Sequence, residues 1–405
     1  MNSRLPVTIL LLSLATFAAG TEAYVYVGLL TNVAHDLNVT VASTGLLAAG
    51  FAVTYALTAP VLAALTGHWP RRPVLVAGLA SVGILNLAAA ASPSFAWLFA
   101  SRITSGFIAA LIGPSATATA STLAPPHMRG RALAIVGAGT GLAFTLGVPL
   151  GSAVGGLWGW RATFIFAGVL LLACAAALRL ALPGTPRTDV AGLSGLRIVA
   201  RREIAGHLGL TVSAFAATFS SMAFLGPIVE RTAQAHGAGV GLFQAGIGIG
   251  SVLGLLLGGR LADGRRSAHA IPVLLGFVAI TQLVLASIHS IVHESMLASA
   301  LLATTIVGGA IALFALMPLV QSGLVSAAPD RRSVVLALNG SMVFLGQGLG
   351  ALAGGLAANF NGVDATGVVG AAIAASAAVC AIVILRGRDA TPTRSSAPLP
   401  EGIGS

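Results

Sequence analysis

Twelve apolar stretches, each near the roughly 20 residues that a helix needs to cross the hydrocarbon of a bilayer, follow one another along this chain with short segments between them. Lipid offers no partner for a backbone N–H or C=O, so such segments satisfy those groups internally, as helices. The pattern predicts spans over residues 5–30, 43–66, 73–92, 95–124, 132–158, 161–182, 206–229, 239–261, 269–288, 295–327, 333–358 and 365–386. Charged residues make up 8% of 405 positions and hydrophobic ones 56%, which leaves little from which to build a soluble domain. The expected class is an all-α polytopic membrane protein with lipid as its solvent.

A formal net charge of +10 invites a nucleic-acid reading, but the basic residues form no continuous stripe and recur instead as pairs between spans. All 21 are arginine, a bias shared with Ala and Gly that reads as a GC-rich genome. With both termini cytoplasmic, the inside segments hold 18 arginines, the outside loops hold Arg161 and Arg231, and Arg102 falls within a span. The positive-inside rule requires that partition, and the inverted topology would violate it. A multi-pass membrane protein is expected, as a monomer with the lipid bilayer as its surroundings.

Cys174 and Cys380 fall in different spans, about 200 residues apart, and the histidines lie in loops or near helix ends. Neither a disulfide framework, a metal site nor a cofactor is indicated. Arg4 followed by an apolar run and "AAGTEA" imitates a signal peptide, but the run continues to Leu30, so the first span is expected to stay in the mature protein. The triplet "NVT" at 38–40 matches a glycosylation sequon that a bacterial protein would not use.

The segment from Pro183 to Ala205 divides the chain into two sets of six spans that resemble each other. "GVPLGSAVGGL" at 147–157 aligns with "GQGLGALAGGL" at 346–356, with six of eleven residues identical. "ATFAAGTEAYVYVG" at 15–28 aligns with "SAFAATFSSMAFLG" at 213–226, an offset that differs from the first by one residue. An even number of spans precedes the second copy, so the copies run in the same direction through the membrane. Twelve transmembrane helices in two parallel six-helix repeats are therefore predicted, related by an axis along the membrane normal. The expected organisation is an N-terminal bundle over 1–182, a cytoplasmic central loop over 183–205, a C-terminal bundle over 206–386 and a cytoplasmic tail over 387–405.

This arrangement resembles the major facilitator superfamily, and several motifs carry the resemblance. "ALTGHWPRRPVL" resembles the superfamily's signature loop after the second span, with Arg71 and Arg72 in place but Gly67 at the acid position and Pro70 at a glycine position. Its repeat, "GGRLADGRR", keeps the acid as Asp263 with Gly259 before it and a shortened approach to Arg265 and Arg266. "FASRITSGFIAA" is similar to the fourth-span pattern of an intramembrane arginine followed by glycine, here Arg102 and Gly106. "GAGTGLAFTLGVPLG" resembles the antiporter motif, with Gly147, Pro149 and Gly151. "GTEAYVYVGLLTNVAHDLNV" is similar to the opening of bacterial chloramphenicol exporters and arabinose-type efflux permeases, except that Thr31 stands where a proline is usual. The resemblance implies drug:proton antiport across the bacterial inner membrane, a cytoplasmic gate at the loop arginines and Asp263, and an interface role for the antiporter motif. Glycine there also permits close helix packing and Pro149 removes a backbone hydrogen bond, so simple packing remains a second reading.

Of the eleven acids, Glu22 alone lies well inside a span, and Arg102 is the corresponding base. A charge at mid-helix costs about 2.5–3.5 kcal/mol on insertion scales, so each needs a cavity or a partner. Counting at 1.5 Å per residue places them roughly 12 and 10 Å from the outer helix ends, at similar depth. In the superfamily's fold the first, fourth, seventh and tenth helices line a central cavity, which implies that both residues face one compartment. Two readings stand: Glu22 takes up and releases the transported proton, with Arg102 as its modulator, or the two form a permanent structural pair. Ser220 is the uncharged counterpart of Glu22 in the repeat and is expected to line the substrate cavity.

Tyr24, Tyr26 and Tyr55, with Phe215 and Phe219 and the nearby Phe224, are candidates for an aromatic cavity suited to ring-bearing amphipathic molecules. Tyr24 and Tyr26 diverge around a helix, so at least one must face lipid or a neighbouring helix. The expected function is proton-coupled efflux of a small amphipathic compound, such as a phenicol, by alternating access. Export of an endogenous sugar or other metabolite is the alternative. An enzyme would need paired catalytic groups or a metal site, and a sensor a soluble output domain, and the sequence offers neither.

Overall fold

The computed structural model describes residues 5–183, 198–264, 267–291 and 296–389. Most of the central loop, the tail beyond Asp389 and the expected gate residues Arg265 and Arg266 lie outside those residues. The described chain is helical throughout: α1 (Leu5–Tyr24), α2 (Leu30–Asp36), α3 (Val41–Thr66), α4 (Arg71–Ala90), α5 (Phe95–Ala109), α6 (Ile112–Leu123), α7 (Arg129–Leu142), α8 (Val148–Trp158) and α9 (Trp160–Ala181) form the first bundle. The second contains α10 (Arg202–Met222), α11 (Leu225–Ala233), α12 (Ala238–Ala262), α13 (Ser267–Ile291), α14 (Met296–Ala327), α15 (Arg332–Asn361) and α16 (Ala365–Asp389). Among the described residues eleven stretches are long and apolar enough to cross a membrane, and α10 with α11, bent by 46°, make a twelfth when taken as one span. Leu57, Ile84, Leu180, Val273 and Val383 stand exposed on the outside, as lipid-facing side chains do.

Four spans are broken where the sequence predicts continuous helices, and in three of them a proline is the cause. A proline ring displaces the carbonyl four residues before it. Pro114 accounts for the break at Ala110 and Leu111, Pro227 for that at Ala223 and Phe224, and Pro149 for the wider π turn at Ala143–Gly147. Pro60, Pro272 and Pro318 are accommodated inside continuous helices. The first span has no proline. It leaves the α-helix after Tyr24, passes through a 3-10 turn at Val27–Leu29 and resumes as α2.

The packing repeats between the bundles. α1 lies against α7 as α10 lies against α15, α4 against α9 as α13 against α16, and α3 against α5 as α12 against α14. Between the bundles α3 meets α15 and α8 meets α12, the two contacts that a two-fold axis exchanges. The parallel repeat read from the offsets is thus a structural repeat.

Candidate transport site

Glu22 and Arg102 form an ion pair between α1 and α5, with side chains 0% and 1% exposed. Asn86 of α4 joins it, its amide donating to Glu22 Oε1 at 3.3 Å and to the Val82 carbonyl at 2.8 Å. The second guanidinium nitrogen of Arg102 donates to the Ala23 carbonyl at 3.3 Å. The guanidinium also lies over the rings of Tyr26 and Phe51, with centroids at 4.8 and 4.5 Å. A desolvated cation over an aromatic face gains about 2 kcal/mol per good contact, which offsets part of the burial penalty. Glu22 Oε2, Arg102 Nε, Tyr26 Oη and Asn86 Oδ1 are buried without a hydrogen-bond partner. The charged groups are held together but their hydrogen-bonding capacity is not filled.

A cavity of about 260 Å³ lies between the two bundles. Tyr24, Tyr55, Phe215 and Phe219 line it, as the sequence suggests, and Phe51, Phe144, Phe314 and Phe344 complete its aromatic wall. Tyr24 of the first bundle is tilted against Phe219 of the second at 5.7 Å, and Tyr55 of the first stacks on Phe344 of the second at 3.8 Å, so rings of both bundles meet across it. No lining residue carries a charge.

Several expected members lie elsewhere. Tyr26 points away from the cavity and stacks on Phe164 at 5.7 Å, which is the divergence required of Tyr24 and Tyr26 by their two-residue spacing. Ser220 is fully buried inside the second bundle, donating to the Ala217 carbonyl at 2.8 Å. Glu22 and Arg102 do not line the cavity either: Gly20 and Ala23 face it from α1, and Phe51 stands between it and the guanidinium. A helix presents residues one or two apart on different sides, and Glu22, two residues from Gly20 and one from Ala23, falls on the side turned into its own bundle. The second bundle holds a neutral equivalent, in which Ser221 of α10 donates to Gln282 of α13 at 2.7 Å.

The antiporter-motif glycines bring α1 close to the end of the fifth span. A side chain at Gly147 would strike Thr21, and one at Gly151 would strike Val25. The Pro149 carbonyl faces Gly241 of α12, where an added Cβ would come within 2.9 Å of it. This segment therefore packs within its own bundle and against the other at once.

At the arginine-poor end the bundles touch closely. A Cβ on Gly226 would lie 2.9 Å from the Gly28 backbone, and one on Gly156 would lie 2.5 Å from Gly237. Phe224, fully buried, fills the space left by Gly45. Thr31 donates to Glu230 at 2.7 Å, linking α2 of the first bundle to α11 of the second. The residue that departs from the efflux-protein pattern thus supplies a hydroxyl where proline has none. At the other end Arg71 donates to the Gly67 carbonyl at 3.0 Å, and Arg72 to the Arg179 carbonyl. Both cap helix ends within the first bundle. Gly259 and Asp263 end α12, with Asp263 exposed, beside the undescribed Arg265 and Arg266.

A family model described as Major Facilitator Superfamily matches residues 12–325. The chain belongs to the major facilitator superfamily. This transporter is 35% identical over 295 residues to a chloramphenicol resistance protein of Streptomyces lividans, covering 69% of this chain and 74% of that one. It is 28% identical over 363 residues to an uncharacterized MFS-type transporter of Bacillus subtilis, covering 89% of each. Among solved structures, the transporter superposes with a TM-score of 0.77 and 18% identity on a bacterial homolog of the human lysosomal transporter Spinster, in an inward-facing and occupied conformation. That superposition covers 95% of this chain and 98% of the other, and at such low identity it speaks for the fold alone.

Sequence reasoning missed Asn86, Phe51, Gln244 and Gln347. The amides carried a usable signal, since a carboxamide inside an apolar span needs a partner as an acid does. Gln347 also stands in the second repeat where the first has Val148, another cavity residue. Phe51 carried no such mark among 16 phenylalanines.

Proposed function

We propose that this transporter exports a small, ring-bearing amphipathic compound of the phenicol kind across the bacterial inner membrane in exchange for protons. The observation that carries this reading is the placement of Phe51, which lines the cavity and whose ring also lies 4.5 Å from the Arg102 guanidinium. A substrate that moves this ring disturbs Arg102, and a change of charge on Glu22 is felt at the cavity through the same ring. Coupling is then indirect, with proton and substrate at separate places. The name of the Streptomyces relative supports a phenicol-like substrate. A sugar, with hydroxyls around its whole rim, would find few polar groups on this wall.

In the proposed cycle both termini are cytoplasmic, and the glycine contacts close the periplasmic end. Ionised Glu22 paired with Arg102 belongs to this state, in which the proton has left and substrate enters from the cytoplasm. Opening to the periplasm releases substrate and admits a proton to Glu22, and the protonated carrier returns. Each charge moved down the membrane potential supplies about 2.3 kcal/mol per 100 mV.

The test is drug susceptibility of an efflux-deficient host expressing wild type or Glu22→Gln, with phenicols in the panel. Wild type is expected to raise the inhibitory concentration of chloramphenicol several-fold, and the variant to return it to the vector level at equal expression. No shift with any compound would contradict the efflux reading.

A further inference from the structure

The cavity wall is almost wholly apolar, so its few polar groups decide which amphipathic molecules it accepts. Thr16 and Thr218 spend their hydroxyls on backbone carbonyls, at 2.6 Å to Val136 and 3.0 Å to Ala214. Two glutamines of the second bundle, Gln347 on α15 and Gln244 on α12, are placed differently. The Tyr24 hydroxyl donates to Gln347 Oε1, and the Ser152 hydroxyl donates to Gln244 Oε1 at 2.6 Å. In both cases a hydroxyl of the first bundle occupies the carbonyl of an amide from the second. The amide's NH2 group is left as the unspent donor, and Gln244 Nε2 is buried without a partner.

Tyr24 is itself fixed, stacked on Phe144 at 5.0 Å and tilted against Phe219 at 5.7 Å. The Gln347 carboxamide is therefore oriented by a rigid ring and flanked by aromatic faces. A ligand oxygen that accepts from the Gln347 amide keeps this donor paired when the ligand covers it, whereas a ligand without an acceptor leaves it desolvated and unpaired, which is unfavourable by about 1–3 kcal/mol. A bound carboxylate or ammonium would find no countercharge anywhere on the wall.

We infer that Gln347, oriented by the Tyr24 hydroxyl, is the specificity-determining residue of the cavity, and that it selects uncharged ring compounds bearing an acceptor oxygen such as an amide, nitro or hydroxyl group. The inference rests on the efflux reading and narrows its substrate class. Because the hydrogen bond joins the two bundles, a ligand that takes over either partner also loosens a link between them.

The test measures binding of chloramphenicol, which is uncharged and rich in acceptor oxygens, and of tetraphenylphosphonium, a ring-bearing cation without acceptors, to the purified full chain. Wild type is expected to bind chloramphenicol and to discriminate against the cation by more than tenfold. Gln347→Leu and Tyr24→Phe should each weaken chloramphenicol binding about tenfold, and Gln347→Glu should reverse the preference. Melting temperatures within a few degrees of wild type would separate these losses from misfolding, and Tyr24→Phe, which keeps the ring, is the milder variant. Chloramphenicol binding within twofold of wild type in both Gln347→Leu and Tyr24→Phe overturns the role of Gln347 while leaving efflux intact. A wild type that prefers the cation overturns the substrate class, and one that binds neither probe contradicts the efflux reading and the inference together.

Discussion

Glu22 and Arg102 stabilise each other only as a pair. Breaking a buried ion pair by removing one partner destabilises by roughly 3–5 kcal/mol, because the remaining charge is left uncompensated, whereas replacing both by apolar groups is often neutral. Arg102→Met should therefore lower the melting temperature in detergent more than Glu22→Gln, whose amide still accepts from Arg102 and Asn86. The double variant Glu22→Met, Arg102→Met should recover most of the loss. A double variant no more stable than Arg102→Met would show that the contacts of the guanidinium with the Tyr26 and Phe51 rings matter more than the charge. The existence of this pair was legible from two lone charges at matching depth, but its direction was not. Apolar side chains surround Glu22 on every side in the sequence, so no amphipathic stripe says which face turns to the cavity.

Among the elements, the span breaks and the glycine contacts govern motion. A π turn lacks part of the regular hydrogen-bond ladder and frequently marks a functional site, and here it precedes Pro149 at the contact between bundles. Close approach at Gly226 leaves no room for a side chain, so Gly226→Val should push the arginine-poor end open. Spin labels at Trp158 and His236, exposed residues of opposite bundles beside the Gly156 and Gly237 contact, should move apart in that variant in a background lacking Cys174 and Cys380. An unchanged distance would mean that the contact does not hold the closed state. The prolines behind three of the breaks were visible in the sequence. Whether a proline breaks its helix or is absorbed depends on neighbours, as the intact helices around Pro60, Pro272 and Pro318 show, and that information is tertiary.

For the whole molecule, span count and repeat were readable because hydrophobic length and self-similarity survive without knowledge of packing. The neutral polar pairs were not, since a serine or glutamine in a span acquires meaning only from what it faces. The arginine distribution predicts that a green fluorescent protein fused after Ser405 is fluorescent and that an alkaline phosphatase fused in the loop before Arg161 is active. The reverse result would invert the proposed direction of transport. The central claim is that Glu22 carries the transported proton, and reconstituted vesicles test it most directly. Under an imposed pH gradient, wild type should accumulate radiolabelled chloramphenicol. Glu22→Gln should lose that accumulation while still exchanging labelled for unlabelled compound at equilibrium. A Glu22→Gln carrier that still concentrates chloramphenicol against its gradient would contradict the account.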